Sequence, residues 1–103
     1  MRERNQYIYQ LKVIPRLQEE ANWTKKDSNI VTEHFKRLQI LTEEKIVILA
    51  GRTLSIGEEG FGIVIFEAES DDEAQLIMEN DPAIKKGIMT AKLYPYRVAL
   101  MRS

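Results

Sequence analysis

The segment Phe61-Gly62-Ile63-Val64-Ile65-Phe66 limits the possible folds more than any other stretch of the chain. In an extended strand, Gly62, Val64 and Phe66 face one way and Phe61, Ile63 and Ile65 the other. Both faces are apolar, and a strand of that kind needs cover on both sides. Burying three such side chains stabilises by roughly 1.5–3 kcal/mol each. A sheet covered by helices on one face only would leave half of that gain unused. The segment therefore implies a helix layer on one side and a second cover on the other.

The rest of the chain supplies the partners. Gln6–Ile14 alternates in part, with Tyr7, Tyr9, Leu11 and Val13 on one face, and Pro15 closes it as a first strand. Pro15–Trp23 reads as a loop that is long for a strand-to-helix connection. Thr24 can cap a helix, and Asp27 adds a favourable charge in its first turn. Ile30, Val31, His34, Phe35, Leu38 and Leu41 then recur at spacings of three and four as one apolar stripe. Ile46–Thr53 and Phe61–Ala68 form the second and third strands, joined as a hairpin through Leu54–Gly60. Ser70 with Glu73 is a capping box opening a short helix to about Asn80. Asp81-Pro82 is an N-cap followed by Pro at the first position of another turn, which Gly87 ends. Ile88–Met101 is the last strand, and Pro95 within it requires a sheet edge or a bulge. The order βαββαβ predicts an α+β, ferredoxin-like sandwich with both helices on one face, in a single domain over residues 1–103. The simplest cover for the open face is a second copy of the same sheet, so a homodimer through that face is expected.

Composition narrows the function. Lys and Arg number 15 against 16 Asp and Glu, a formal net charge of −1 that draws the chain neither to nucleic acid nor to an anionic membrane. The apolar runs are far too short to span a bilayer. There is no cysteine and one histidine, which excludes thiolate nucleophiles, Cys-ligated metals and a two-histidine metal site within one chain. No metal and no cofactor are expected. The start Met-Arg-Glu-Arg-Asn leads into no apolar signal segment, so the expected location is cytoplasmic. Gly60–Phe66 on the third strand of a βαββαβ chain resembles the RNP1 motif of RNA-recognition domains. Glu59 stands where that motif has Lys or Arg, and Ile63 replaces a stacking aromatic, so a buried strand is the better reading.

His34 is the sharpest chemical signal, because it lies on the apolar stripe four residues from Ile30 and from Leu38. Its ring points at the sheet, either as a hydrogen-bonded core imidazole or as an acid–base group. Asp81 is an ordinary N-cap or the partner of that imidazole. Arg52, after Gly51, would offer a planar fork to a carboxylate or enolate, or lie exposed at a strand end. Arg16 in the long loop could reach the same pocket, and Trp23 is a pocket wall or a staple for the helix start. Tyr94 and Tyr96 could donate to a ligand or pack across strands. The pairs Lys25-Lys26, Lys36-Arg37 and Lys85-Lys86 read as solvated surface.

In their order and spacing, Glu33-His34-Phe35-Lys36-Arg37-Leu38, Leu49-Ala50-Gly51-Arg52, Phe61–Glu67, Glu73-Ala74 and Asn80-Asp81-Pro82-Ala83 with Gly87 resemble the YCII-related (YciI-like) family. That resemblance implies a dimeric ferredoxin-like α/β barrel. It also implies a His–Asp acid–base pair in a pocket beside the sheet, which here would be His34 and Asp81. Most members have no assigned substrate. Dehydrochlorination of a chlorinated hydroquinone-type aromatic belongs to one branch, and nothing in this chain specifies a chloroaromatic. Two function classes therefore stand: a small enzyme acting on an unknown small organic molecule, and a non-catalytic small-molecule binding or sensing module. A histidine pocket open to solvent separates them.

Overall fold

The computed structural model describes residues 4–55 and 57–103. The charged start at residues 1–3 and Ile56 of the predicted hairpin loop lie outside them. Four strands form one antiparallel sheet: β1 (Asn5–Val13), β2 (Val47–Arg52), β3 (Gly62–Ala68) and β4 (Met89–Tyr96), in the spatial order β2-β3-β1-β4. Helices α1 (Lys25–Glu43), α2 (Asp71–Glu79) and α3 (Pro82–Lys85) complete the α+β, ferredoxin-like arrangement.

β1 and β3 are the central pair, with Tyr7 opposite Phe66 and Tyr9 opposite Val64. These four side chains are buried, as are Leu38 of α1 and Ala74 and Met78 of α2, which pack on them. Phe66 meets the rings of both tyrosines, edge-on to Tyr9 at a centroid distance of 5.6 Å. The opposite sheet face carries a cross-strand row of Leu49, Ile65, Ile8 and Tyr94. Leu49 and Tyr94 at its ends are exposed. The apolar two-sidedness of β3 is therefore real, and the helices satisfy one side of it.

Several elements differ from the sequence reading. Pro15–Trp23 is not an open loop but two 3₁₀ turns, Pro15–Gln18 and Glu20–Asn22. Three contacts fix them. Arg16 forks onto Asp27 with two bonds of 3.0 Å, Trp23 Nε1 donates to the Leu17 carbonyl at 2.9 Å, and Asn22 exchanges bonds with Arg16. The reciprocal capping box sits at Thr24 and Asp27, while at Ser70 the hydroxyl accepts from the Glu73 N–H. Phe35 is 59% exposed rather than part of the stripe, because it lies one residue, a rotation of about 100°, beyond the sheet-facing His34. α1 ends with Lys45 at φ 64°, and the Lys45 and Ile46 N–H groups close back onto Thr42 and Leu41 carbonyls. β4 stops at Tyr96 rather than Met101. Its partner β1 begins at Asn5, so the ladder runs out, and the Val98 N–H turns to the Gln6 side chain instead. Pro95 is accommodated because β4 is an edge strand.

The Arg16 fork, reinforced by the Thr24 N–H, holds the Asp27 carboxyl well below the usual carboxylate range. A depressed folded-state pKa contributes stability that is present above the unfolded value and is lost as pH falls through the folded one. Asp27→Asn should therefore unfold at lower urea than the wild type at neutral pH, with the gap closing as pH drops below about 4. A gap that stays constant down to about pH 2 contradicts this account.

Candidate active site

Asp81 lies where β1, α1 and α3 meet, and its carboxylate is fully buried. As the N-cap of α3 it accepts from the Ala83 N–H at 3.0 Å, and Pro82 at the first helical position leaves no donor wasted there. Tyr9, on the helix-facing side of β1, donates its hydroxyl to Oδ2 at 2.8 Å. His34 presents Nδ1 to Oδ1 at 2.6 Å and to Oδ2 at 2.8 Å. Three donors from three elements thus converge on one carboxylate. Burial, followed by the charge of Asp81, pushes the Tyr9 phenol far above its ordinary range, so it stays protonated and remains a donor.

A carboxylate only accepts, so the short contact assigns the proton to Nδ1 of His34. The imidazole keeps 12% side-chain exposure against none for Asp81. Nε2 makes no hydrogen bond among the described residues. Among them the one buried side-chain nitrogen or oxygen without a partner is Arg37 Nη1, so Nε2 reaches solvent. The ring is anchored on its inner edge and free on its outer one. Such an arrangement can pass a proton between Nε2 and a molecule at the surface.

The other candidates are dispersed. Arg52 lies opposite Gly62, which shares the helix-facing side with Val64 and Phe66, and it is exposed with one 3.4 Å bond to the Thr53 carbonyl. Arg16 and Trp23 spend their polar groups on Asp27, Asn22 and Leu17. Tyr94 pairs with Ile8 on the far face of the sheet, because alternation turns it away from the side that carries Tyr9. Neither a depression of about 370 Å³ around Arg4, Tyr7, Asp71 and Tyr96 nor one of about 300 Å³ around Gly51, Phe61 and Ile63 includes His34 or Asp81. No group of three or more His, Cys, Asp or Glu side chains gathers as metal ligands among the described residues.

Sequence reasoning missed two members of this cluster. Tyr9 has the pattern of a core residue, and only its phenol in an otherwise apolar face hinted at a buried acceptor. Arg37 belongs to a pair read as solvated, yet it is half-buried and Nη2 donates to the Ile77 carbonyl at 2.9 Å. Its place next to buried Leu38 and three residues after His34 was the available signal.

A sequence profile of the YCII-related domain matches residues 11–95. The chain belongs to the YCII-related family. Among solved structures, this YCII-related chain is similar to 5-chloro-2-hydroxyhydroquinone dehydrochlorinase from Burkholderia phenoliruptrix, in complex with 2,5-dihydroxybenzoquinone. The identity is 21%, the TM-score 0.61, and the match covers 89% of this chain and 93% of that one. It is also similar to an uncharacterised protein of Thermotoga maritima, at 13% identity and a TM-score of 0.53, covering 92% of this chain and 100% of the other. At these identities the likeness shows the fold. No curated protein matches the YCII-related chain. No helix among its described residues is long and apolar enough to cross a membrane.

Two tyrosines give an internal comparison. The Tyr9 hydroxyl serves a fully buried carboxylate, whereas the Tyr7 hydroxyl donates at 2.6 Å to Asp71, an exposed residue that water can serve instead. Tyr9→Phe should lower unfolding stability by about 1–3 kcal/mol and Tyr7→Phe by less than about 1 kcal/mol. Equal costs in urea denaturation contradict the central place given to Asp81.

Proposed function

We propose that this YCII-related chain is a small acid–base enzyme in which His34 exchanges a proton with a small organic molecule through Nε2. The observation that supports it is the imidazole held at Nδ1 by a buried Asp81 while Nε2 stays unpartnered and open. Asp81 fixes the tautomer and balances the imidazolium that forms when Nε2 takes a proton. Arg52 is the group on the same sheet side suited to an acidic ligand oxygen, as a planar fork beside the bare Gly62. The dehydrochlorinase neighbour is complexed with 2,5-dihydroxybenzoquinone, a small molecule with ionisable hydroxyls, and this reading calls for a ligand of that size and kind. A cytoplasmic setting and a single domain over 1–103 belong to the same proposal.

The working unit in this proposal is a homodimer. Leu49, Phe61, Tyr94 and Tyr96 leave an exposed apolar patch along the open sheet side and its edges, continuous with the buried Ile65. A second sheet packed face to face supplies the missing cover, and the contact is self-complementary about a two-fold axis.

Two measurements test these readings. In a panel of hydroxyquinones, hydroquinones and carbon acids that begins with 2,5-dihydroxybenzoquinone, His34→Ala should lower kcat by about 100- to 10,000-fold while keeping its native circular dichroism. Full turnover by that variant removes the acid–base assignment, and ligand binding without wild-type turnover across the panel favours a binding module. Light scattering at micromolar concentration should give the dimer mass. A clean monomer contradicts the sheet-to-sheet contact.

A further inference from the structure

Beyond Tyr96 the chain continues through residues 97–103 without helix or strand. The bond from the Val98 N–H to the Gln6 side chain at 2.7 Å fixes how this segment leaves the β4 edge. Leu100 is 94% exposed and Met101 is exposed as well, so both apolar side chains touch little of their own chain. Alternation carried on from Tyr94 and Tyr96 puts Val98 and Leu100 on the open side of the sheet. An extended course sets Leu100 about 13 Å past Tyr96. The depression of about 300 Å³ is lined by Gly51, Arg52, Thr53, Phe61 and Ile63, all but Arg52 on that same open side. A Cβ at Gly51 would meet no other part of the fold within 4 Å, so there is room above β2. The hairpin loop beside the depression exposes Leu54, Glu58 and Glu59. Neither glutamate has an ion-pair partner among the described residues, and neither does Arg97 or Arg102 on the segment. Exposed apolar side chains flanked by two arginines thus face a counterpart, an apolar hollow flanked by two glutamates.

The two features occupy opposite corners of the sheet. β2 and β4 are its two edges. Arg52 lies at the end near Leu11, and Tyr96 at the end near Gln6. β4 runs from the first end to the second, so the segment departs away from the depression of its own copy. We propose that Leu100 and Met101 of each copy seat in the depression around Gly51, Phe61 and Ile63 of a second copy, with Arg97 and Arg102 against Glu58 and Glu59 of the partner subunit. The inference rests on the homodimer reading and names the contact that fixes its geometry. A two-fold axis between facing sheets makes the exchange reciprocal: the contact that one copy makes on the second, the second makes on the first. Opposite charges at the rim set the register and disfavour other pairings.

The test is intermolecular paramagnetic broadening. The chain has no cysteine, so a spin label on Ser103→Cys sits at one place. In a mixture of that unenriched, labelled chain with ¹⁵N-enriched wild type, every broadened amide belongs to the other copy. Gly51, Phe61 and Ile63 should broaden. Leu100→Asp changes a side chain that its own fold does not use, and it should weaken the dimer by about tenfold or more in sedimentation equilibrium. The double reversal Glu58→Lys with Glu59→Lys should weaken it too. Mixing that protein with Arg97→Glu, Arg102→Glu should restore a heterodimer, because both reciprocal contacts are then opposite in sign. A wild type that sediments as a monomer removes the homodimer reading and this contact with it. A stable dimer that shows no broadening at those amides, or an unchanged Kd in Leu100→Asp, leaves the homodimer standing and overturns the exchange.

Discussion

A carboxylate with no exposed surface organises this molecule. Asp81 could not stay buried without donors, because an unmatched charge in the interior costs several kcal/mol. The fold meets that demand from three directions: a phenol from the central strand, an imidazole from the long helix and a backbone N–H from the turn that Asp81 itself begins. Each donor constrains its own element. Tyr9 fixes which face of β1 meets the helices, His34 fixes the rotation of α1, and the Ala83 N–H fixes the start of α3. The local rule that Asp before Pro opens a helical turn and the chemical rule that a histidine partner must be an acceptor are met by one side chain.

The same group links packing to function. One edge of the imidazole belongs to the core and the other to the solvent, so the ring joins a rigid interior to the surface. Its orientation depends on elements far apart in sequence, 47 residues between His34 and Asp81 and 72 between Tyr9 and Asp81. In the reading proposed above, this scaffold holds one free ring nitrogen in the fixed orientation that proton transfer requires.

Much of the architecture was legible because it follows from short-range rules. Alternation placed Tyr7, Tyr9 and Leu11 on the covered face, the spacing of Ile30, His34 and Leu38 turned the ring toward the sheet, and Pro95 demanded an edge. The features that were not legible depend on contacts made at a distance. The segment after Pro15 folds into 3₁₀ turns because Arg16 meets Asp27, and neither residue alone announces the fork. β4 ends where β1 runs out of ladder, although Val98, Leu100 and Met101 suit a strand. Phe35 shows the limit of a spacing rule, since one residue of rotation separates core from solvent. In the site, Tyr9 and Arg37 are hidden from a sequence reading for opposite reasons. Tyr9 is apolar enough in its surroundings to pass for core alone, and Arg37 is charged enough to pass for surface alone.

The central claim is that Asp81 holds the proton on Nδ1 and leaves Nε2 as the free nitrogen. Ring ¹⁵N NMR of His34 above its titration reads this directly, because a protonated and an unprotonated ring nitrogen have widely separated shifts. The account predicts a fixed Nδ1–H tautomer in the wild type, and its loss in Asp81→Asn. An Nε2–H tautomer in the wild type, or the same spectrum in both proteins, contradicts it.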